Sequence, residues 1–283
     1  MKIKNLILTL SILVSTISVA LGAYSGVVLK TTLNKQTVFV GEGFYEAFVV
    51  SAEVARHYAY KIQSTTNLNQ PQWVDEVTSI TAMDTNLSLA MPLTASGNKF
   101  FRFEELGEGQ YVSISNDPAS PLTSDIQVTT NDVTSNVPLV IYGFKSHVAN
   151  GTITNVLIEV VATSPTNDTS YVFNSIKLKV GSLTYLGQVA STSGRSEIFP
   201  GIYGYGWKIQ FSNITIPLPV DTYVPVTIAV DVAPNTNDTL NGIKIFAGKG
   251  GLLQIDIEDI SHNIISVEEE SPRSSAVLTL IGN

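Results

Sequence analysis

The side chains best suited to acid–base chemistry are acidic and lie near the end of the chain, in Asp256–Asp259 and Glu268–Glu270. A pair of carboxylates is what a glycosidase needs. Strand alternation, however, puts Asp256 and Glu258 together on the face opposite Ile257. A solvated outer face therefore explains them without catalysis.

Other catalytic arrangements are missing from the sequence. The three histidines, His57, His147 and His262, do not share metal-ligand spacing. The sequence has no Gly-x-Ser-x-Gly elbow, no His-Glu-x-x-His motif and no P-loop. With no cysteine, it has neither a thiol nucleophile nor a cysteine metal site. We therefore predict that the protein is not an enzyme and has no organic cofactor.

Two turns offer oxygen atoms of the kind that calcium takes. They contain Asn167 and Asp168, and Asn237 and Asp238. Clustered carboxylate and amide oxygens suit Ca²⁺, although Asn and Asp are also ordinary turn formers and no EF-hand pattern is present. These four residues are the calcium candidates, and a purely structural role for the turns stays open.

An aromatic stretch from Pro200 to Trp207 alternates rings with glycines and contains Tyr203, Tyr205 and Trp207. Exposed rings on a loop can stack on sugars or anchor a protein partner. The alternative is a glycine-relieved hairpin whose rings turn inward. These three residues are the candidate ligand-binding set.

The elements that carry these residues have the two-residue period of β-strands. In Tyr223–Val232, the residues Val224, Val226, Ile228, Val230 and Val232 share one face, and Pro225 suggests an edge or a bulge. Within 171–180, Val172, Ile176, Leu178 and Val180 form the apolar face, opposite Phe173, Ser175, Lys177 and Lys179. Ile153–Ala162 is evenly apolar, as in a central strand. The expected class is all-β, with antiparallel sandwiches.

The stretch Asn116–Pro121 is rich in proline and turn-forming residues, and we expect an exposed linker there. The predicted organisation is a signal peptide at 1–23, a first sandwich at 24–116, a linker at 117–121 and a second sandwich at 122–283.

The first twenty-three residues have the pattern of a bacterial export signal. Lys2 and Lys4 precede an apolar run, and Ala20–Ala23 ends in the small-x-small pattern of a cleavage site, so the mature chain is expected to begin near Tyr24. We expect a secreted or cell-surface protein with no transmembrane segment after cleavage, and the alternative is that the apolar run is retained as a membrane anchor. Lipidation is excluded because there is no cysteine, and no sorting motif is found at the carboxyl end.

Charge limits the class of partner. The formal net charge is −8, and loss of Lys2 and Lys4 makes the mature chain more acidic. Nucleic acid is therefore not an expected partner. Protein partners at the surface, self-association and glycans remain.

The segment Val27–Leu33 is apolar and alternating, and Val27, Val28, Leu29 and Leu33 make it a candidate donor strand for a neighbouring subunit. The alternative is that this segment pairs within its own domain.

Two resemblances agree with the all-β class. Tyr60–Leu68, Trp73 and Asn98–Phe103 resemble a fibronectin-type-III-like module of exported bacterial proteins. Asn174–Leu178, Phe211–Pro217 and Val224–Val232 resemble Ig-like sandwich repeats of bacterial surface and S-layer-associated proteins. Both resemblances imply surface modules without catalytic residues.

These patterns together predict a non-enzymatic structural or adhesive component of a bacterial cell surface. The alternatives are a subunit of an extracellular filament assembled by strand addition, and a polysaccharide-binding module that uses the aromatic stretch.

Overall fold

The computed structural model describes residues 31–40, 43–67, 69–92, 100–269 and 275–282. These residues are mostly β-strand, which confirms the predicted β class. Single-turn 3-10 helices lie at Thr169–Tyr171 and Thr236–Asp238. Over the described part of the chain, no helix is long and apolar enough to span a membrane. The chain divides into two compact units, Met1–Gln110 and Tyr111–Asn283.

The strands of the first unit are β1 Thr31–Val40, β2 Gly43–Glu53, β3 Tyr58–Thr65, β4 Val74–Thr81, β5 Asn86–Pro92 and β6 Phe100–Glu108. They form two three-stranded antiparallel sheets with the strand orders β1-β2-β5 and β4-β3-β6. Its core includes Val50, Tyr60, Ile62 and Phe103, which come from strands of both sheets.

The second unit is built from two larger sheets. The strands are β7 Tyr111–Asn116, β8 Ser124–Val128, β9 Thr134–His147, β10 Gly151–Ala162, β11 Phe173–Val180, β12 Leu183–Leu186, β13 Gln188–Thr192, β14 Ser196–Phe199, β15 Ile202–Leu218, β16 Tyr223–Val232, β17 Lys244–Glu258, β18 Ser266–Glu269 and β19 Leu278–Gly282. A seven-stranded sheet has the order β13-β15-β10-β17-β19-β8, with β14 also paired to β15, and a six-stranded sheet has the order β12-β11-β16-β9-β7-β18.

One hydrophobic core joins the two sheets of this unit. Its largest buried side chains come from both of them, with Trp207 and Phe211 on one sheet and Tyr142 and Phe144 on the other. A core shared by two facing sheets is the arrangement of a sandwich. The sandwich-like layout agrees with the sequence, but the expectation of antiparallel sheets is wrong at two places, since β18 pairs with β7 and β19 with β8 in parallel. The finer Ig-like and fibronectin-like assignments remain predictions.

The predicted apolar face of β16 is confirmed at Val226, Ile228, Val230 and Val232, which are all buried. The expectation of a half-buried strand is wrong in its second half, because Ala229 and Asp231 of the other face are buried as well. Pro225 pairs with β9 but lies beyond the last residue of β16 that pairs with β11. The strand is central, yet at Pro225 it is locally an edge, so the missing N–H interrupts no ladder on that side.

The predicted faces of β11 are wrong at Phe173. The sequence put this ring on the polar side, whereas it is buried and packs edge-on against Trp207, with the ring centroids 5.8 Å apart. A register shift between Phe173 and Ser175 is the cause. A bulge adds one residue and moves everything before it to the other face.

The boundary between the units lies earlier than the linker predicted at 117–121. β7 pairs with β9 and β18 and belongs to the second unit. The stretch after it is anchored to β9, since Asp117 N donates to Ile141 O at 2.9 Å and Ser120 Oγ donates to the same carbonyl at 2.9 Å. Asp, Pro and Ser are turn formers as well as linker residues, and here they make a turn.

A largely buried ion pair joins two neighbouring strands of the six-stranded sheet, β11 and β16. Lys177 Nζ of β11 lies 2.5 Å from Asp231 Oδ2 of β16, and this carboxylate also accepts from Asn136 N at 2.8 Å and from Ser175 Oγ at 2.7 Å. Burial raises the pKa of Asp231, but the bonds from Lys177, Asn136 and Ser175 outweigh burial, so the pKa lies below its ordinary value.

Candidate functional site

The outer face of the seven-stranded sheet carries an unusual acidic group at the middle of β10. Val156, Ile158 and Val160 of this strand enter the core, so Glu159 lies on the opposite face. The cross-strand neighbour of Glu159 on β15 is Lys208. Glu159 and Lys208 therefore lie side by side on two inner strands of the sheet.

Two glycines make room for the Glu159 carboxylate. A Cβ atom on Gly206 of β15 would lie 2.9 Å from Glu159 Oε1, and a Cβ atom on Gly248 of β17 would overlap Oε2. A side chain at either position would displace the carboxylate. We call this group of three residues, Gly206, Glu159 and Gly248, the carboxylate niche.

The side chains that the structure describes offer the Glu159 carboxylate no donor. Among the described residues, Glu159 accepts no hydrogen bond and forms no ion pair, although it is half-buried. Half-buried charge without partners is unfavourable relative to full solvation. The lining glycines offer only weak Cα–H contacts. The carboxylate is therefore available to an outside donor.

A short hairpin of β14 and β15 borders the niche. Phe199 of β14 contacts Phe246 of β17, with the ring centroids 5.5 Å apart, and Lys244 Nζ lies 5.3 Å from the centroid of the Phe199 ring. Ser193 Oγ accepts a hydrogen bond of 2.7 Å from Gly206 N. Apolar rings and polar groups thus meet beside one carboxylate.

The three rings of the aromatic stretch that were ligand-binding candidates differ in their exposure. Trp207 is fully buried and donates from Nε1 to Asn167 O at 2.9 Å, so its ligand-binding candidacy is wrong and the alternative of an inward-turned ring is the correct one there. Tyr205 is partly buried against the core. Tyr203 is exposed, with the Arg195 guanidinium 5.6 Å from its ring centroid. The three rings are two residues apart and share one face of β15, so their burial differs by position along the strand and falls from Trp207 to Tyr203, which lies at its start.

The calcium candidates lie in two turns at one end of the second unit, linked by a 3.3 Å hydrogen bond from Tyr171 Oη to Thr239 O. Asp168 Oδ1 accepts from Ser170 N at 2.9 Å, and Asp238 Oδ1 accepts from Asn235 Nδ2 at 3.1 Å. No group of three or more acidic or histidine side chains suited to a metal occurs in the described part.

The remaining two calcium candidates have backbone roles. Asn237 has a left-handed φ of 57°, and Asn167 contributes its carbonyl to the Trp207 bond. Turn formation accounts for these contacts, and calcium binding stays a prediction.

The donor-strand candidates fall mostly outside the described residues, which do not include Val27, Val28 or Leu29. Leu33 lies in β1 and pairs with Val50 of β2. From Thr31 onward, the segment therefore pairs within its own unit.

The histidines and acidic residues of the described ranges do not assemble into one cluster. His262 Nδ1 lies 2.8 Å from Glu258 Oε2, while Asp256 Oδ2 accepts from Asn155 Nδ2 at 2.9 Å. A serine–histidine contact that sequence reasoning missed joins Ser113 Oγ and His147 Nε2 at 3.0 Å. Ser113 is only 2% exposed, so its hydroxyl is not accessible to a substrate.

A second surface feature lies where β12 and β13 follow each other through Gly187. β12 is an edge of the six-stranded sheet and β13 is an edge of the seven-stranded sheet. All of β13 is exposed, as are the large apolar side chains Leu183, Leu186 and Val189. We call Leu183–Thr192 the β12–β13 rim.

The rim lacks the residues that usually protect an edge strand. No charged residue and no proline occurs from Gly181 to Gly194. Every other described edge strand carries one or the other, as in Lys35 of β1, Asp75 of β4, Pro92 of β5, Arg102 of β6, Asp125 of β8, Glu197 of β14 and Glu268 of β18. The rim is therefore the edge most open to another strand.

No family model matches the sequence, and no curated protein matches it. Among solved structures, the chain is similar to the yeast delta-COP-I mu-homology domain at 10% identity and a TM-score of 0.17, over 92% of this chain and 98% of that one. A TM-score of this size is below that of a shared fold. The likeness says nothing about function here.

Proposed function

We propose that the protein is an exported, non-enzymatic structural component of a bacterial surface that associates with copies of itself through the β12–β13 rim. The observation that carries this proposal is the absence of charge and proline across a rim made of two sheet edges. A free edge presents unpaired N–H and C=O groups that a second strand can satisfy.

Apolar side chains support association at the same place. Val189 is 50% exposed and Leu186 is 67% exposed, so contact with a second copy would remove further apolar surface from water. Because both rims are uncharged, two copies of this acidic chain would meet there without local repulsion.

The rim is short, which limits the strength of a single contact. β13 has five residues and a register shift between Val189 and Ser191, and β12 has four residues. Few ladder bonds can form, so one contact should be weak. Weak contacts suit a lattice or filament, where each subunit is held at several points.

A lysine substitution tests the rim directly. Val189→Lys adds a charge to β13 and removes its apolar contact, and it should raise the concentration for half-assembly about tenfold. Val74→Lys is the matched control, because Val74 is 63% exposed on β4, another edge strand. The assay is light scattering against concentration, with electron microscopy of the product.

Assembly of Val189→Lys at the wild-type concentration would overturn the rim as the interface. Uniform wild-type monomers at every concentration would overturn self-association altogether. Export has its own test, which is fractionation of native cells with N-terminal sequencing. A product that begins near Tyr24 outside the inner membrane supports export with cleavage. An intact Met1 in the inner membrane would instead make the protein an anchored periplasmic one, and an intact Met1 in the cytoplasm would contradict export.

A further inference from the structure

We propose that the carboxylate niche and the aromatic pair beside it bind one residue of a neutral polysaccharide. This site is distinct from the predicted set of Tyr203, Tyr205 and Trp207, and it does not depend on assembly through the rim. Its central group is Glu159, whose carboxylate accepts no bond from any described residue.

Room for the carboxylate is built into two strands. The absence of side chains at Gly206 and Gly248 lets both oxygens of Glu159 lie across the neighbouring backbones. Neither glycine has the left-handed φ that would itself require glycine. Space for Glu159 is thus the reason the structure gives for these two residues.

The groups around the niche supply both hydrogen-bond donors and hydrogen-bond acceptors. Glu159 is an acceptor, the exposed ammonium of Lys208 is a donor, and the hydroxyl of Ser193 can act as either. Ser193 Oγ lies 3.2 Å from the point that a Gly206 Cβ would occupy, beside Glu159 Oε1. A ligand with several hydroxyl groups matches this mixture.

The aromatic pair of Phe246 and Phe199 lies about the width of one sugar ring from Glu159. Phe246 pairs with Val161, which is two residues from Glu159 on the same face of β10, a step of about 7 Å. Phe246 and Phe199 are in contact and half-buried. Aromatic rings pack against the C–H face of a pyranose while its hydroxyls reach the polar groups.

Charge decides between classes of ligand. Lys208 is the cross-strand neighbour of Glu159, and Lys244 Nζ lies 5.3 Å from the centroid of the Phe199 ring, so both cations disfavour a cationic ligand. The carboxylate of Glu159 disfavours an anionic ligand at the centre of the niche. A neutral polyhydroxyl compound avoids both penalties.

The experiment is calorimetric titration of the mature chain with a panel of neutral hexo-oligosaccharides and, for comparison, oligogalacturonate. We expect binding of at least one neutral oligosaccharide. Glu159→Gln should weaken that binding by about tenfold to a hundredfold, as expected for loss of a charged hydrogen-bond acceptor. Glu108→Gln, an exposed glutamate of the first unit, is the matched control and should bind as the wild type does.

Gly206→Ala tests the geometry of the niche. Its Cβ would contact Glu159 Oε1 at 2.9 Å and push the side chain away, so binding should fall while the thermal midpoint stays near that of the wild type. Unchanged affinity in Glu159→Gln, binding of oligogalacturonate alone, or no binding of any neutral oligosaccharide at millimolar concentration would each overturn the proposal. Val189→Lys should bind the oligosaccharide normally, which separates this site from the rim.

Discussion

Replacement of Asp231 by asparagine should destabilise the second unit by about 3 kcal/mol. The wild-type carboxylate accepts from Lys177, Asn136 N and Ser175 at 2.5, 2.8 and 2.7 Å. The substituted amide keeps the size of the side chain and an acceptor for the Asn136 N–H. It loses the charge, so Lys177, whose side chain is 16% exposed, remains without its counter-ion.

Urea unfolding measured by Trp207 fluorescence reports on this unit. The chain has two tryptophans, and a Trp73→Phe background leaves Trp207, which is fully buried in the core. With a urea slope of about 2 kcal/mol per M, a loss of about 3 kcal/mol lowers the midpoint by about 1.5 M. Asp125→Asn, the same change at an exposed position of β8, should leave the midpoint unchanged.

The effect should depend on pH in a defined direction. The pKa of Asp231 is lowered in the folded protein, so its stabilising contribution is complete above the unfolded pKa of about 3.9 and is lost as the pH falls through the folded value. The stability gap between wild type and Asp231→Asn should therefore be constant near neutral pH and shrink below about pH 4. A gap under about 0.5 kcal/mol at pH 7, or one that widens in acid, would refute the reasoning.

The packing of the second unit gives two further predictions. Gly187→Ala should lower the free energy of unfolding by about 1–3 kcal/mol, because its Cβ would overlap Ile209 Cγ2 and lie 2.9 Å from Phe211 Cζ. An unchanged thermal midpoint would contradict this and show that the rim moves outward to make room. Trp207→Ala should cost about 3–5 kcal/mol while Tyr203→Ala costs under about 0.5 kcal/mol, since one ring is buried and the other is exposed. Equal effects in urea unfolding would contradict that assignment.

The sequence predicted the β class and several strand faces because alternation is a local property. In β16, every second residue is apolar and the strand buries that face. The prediction of strand faces failed in β11, where a bulge adds one residue relative to the partner strand. The register shift before Ser175 turns Phe173 into the core, and nothing in the polar and apolar pattern marks the shift.

The candidate site was only partly accessible from sequence. The glycines and aromatics of Pro200–Trp207 indicate a binding surface on β15, which does contribute Gly206 to the niche, but the pattern points to rings of which Trp207 is buried. In the sequence, Glu159 is one polar residue within an otherwise apolar strand, and nothing beside it marks a site. What sets Glu159 apart is the space beside its carboxylate, which Gly206 and Gly248 leave open on two other strands.

By itself, the sequence determined the strand content, the acidic charge, the lack of a thiol and the uncharged run at 181–194, because composition and two-residue periods need no partner strand. Tertiary structure decided that this run forms the edges of two sheets, that Asn116–Pro121 is a turn, and that Glu159 lies between two glycines. The physical reason is that register and sheet order come from pairing between residues far apart in the chain. A residue's neighbours on adjacent strands are therefore not written beside it in the sequence.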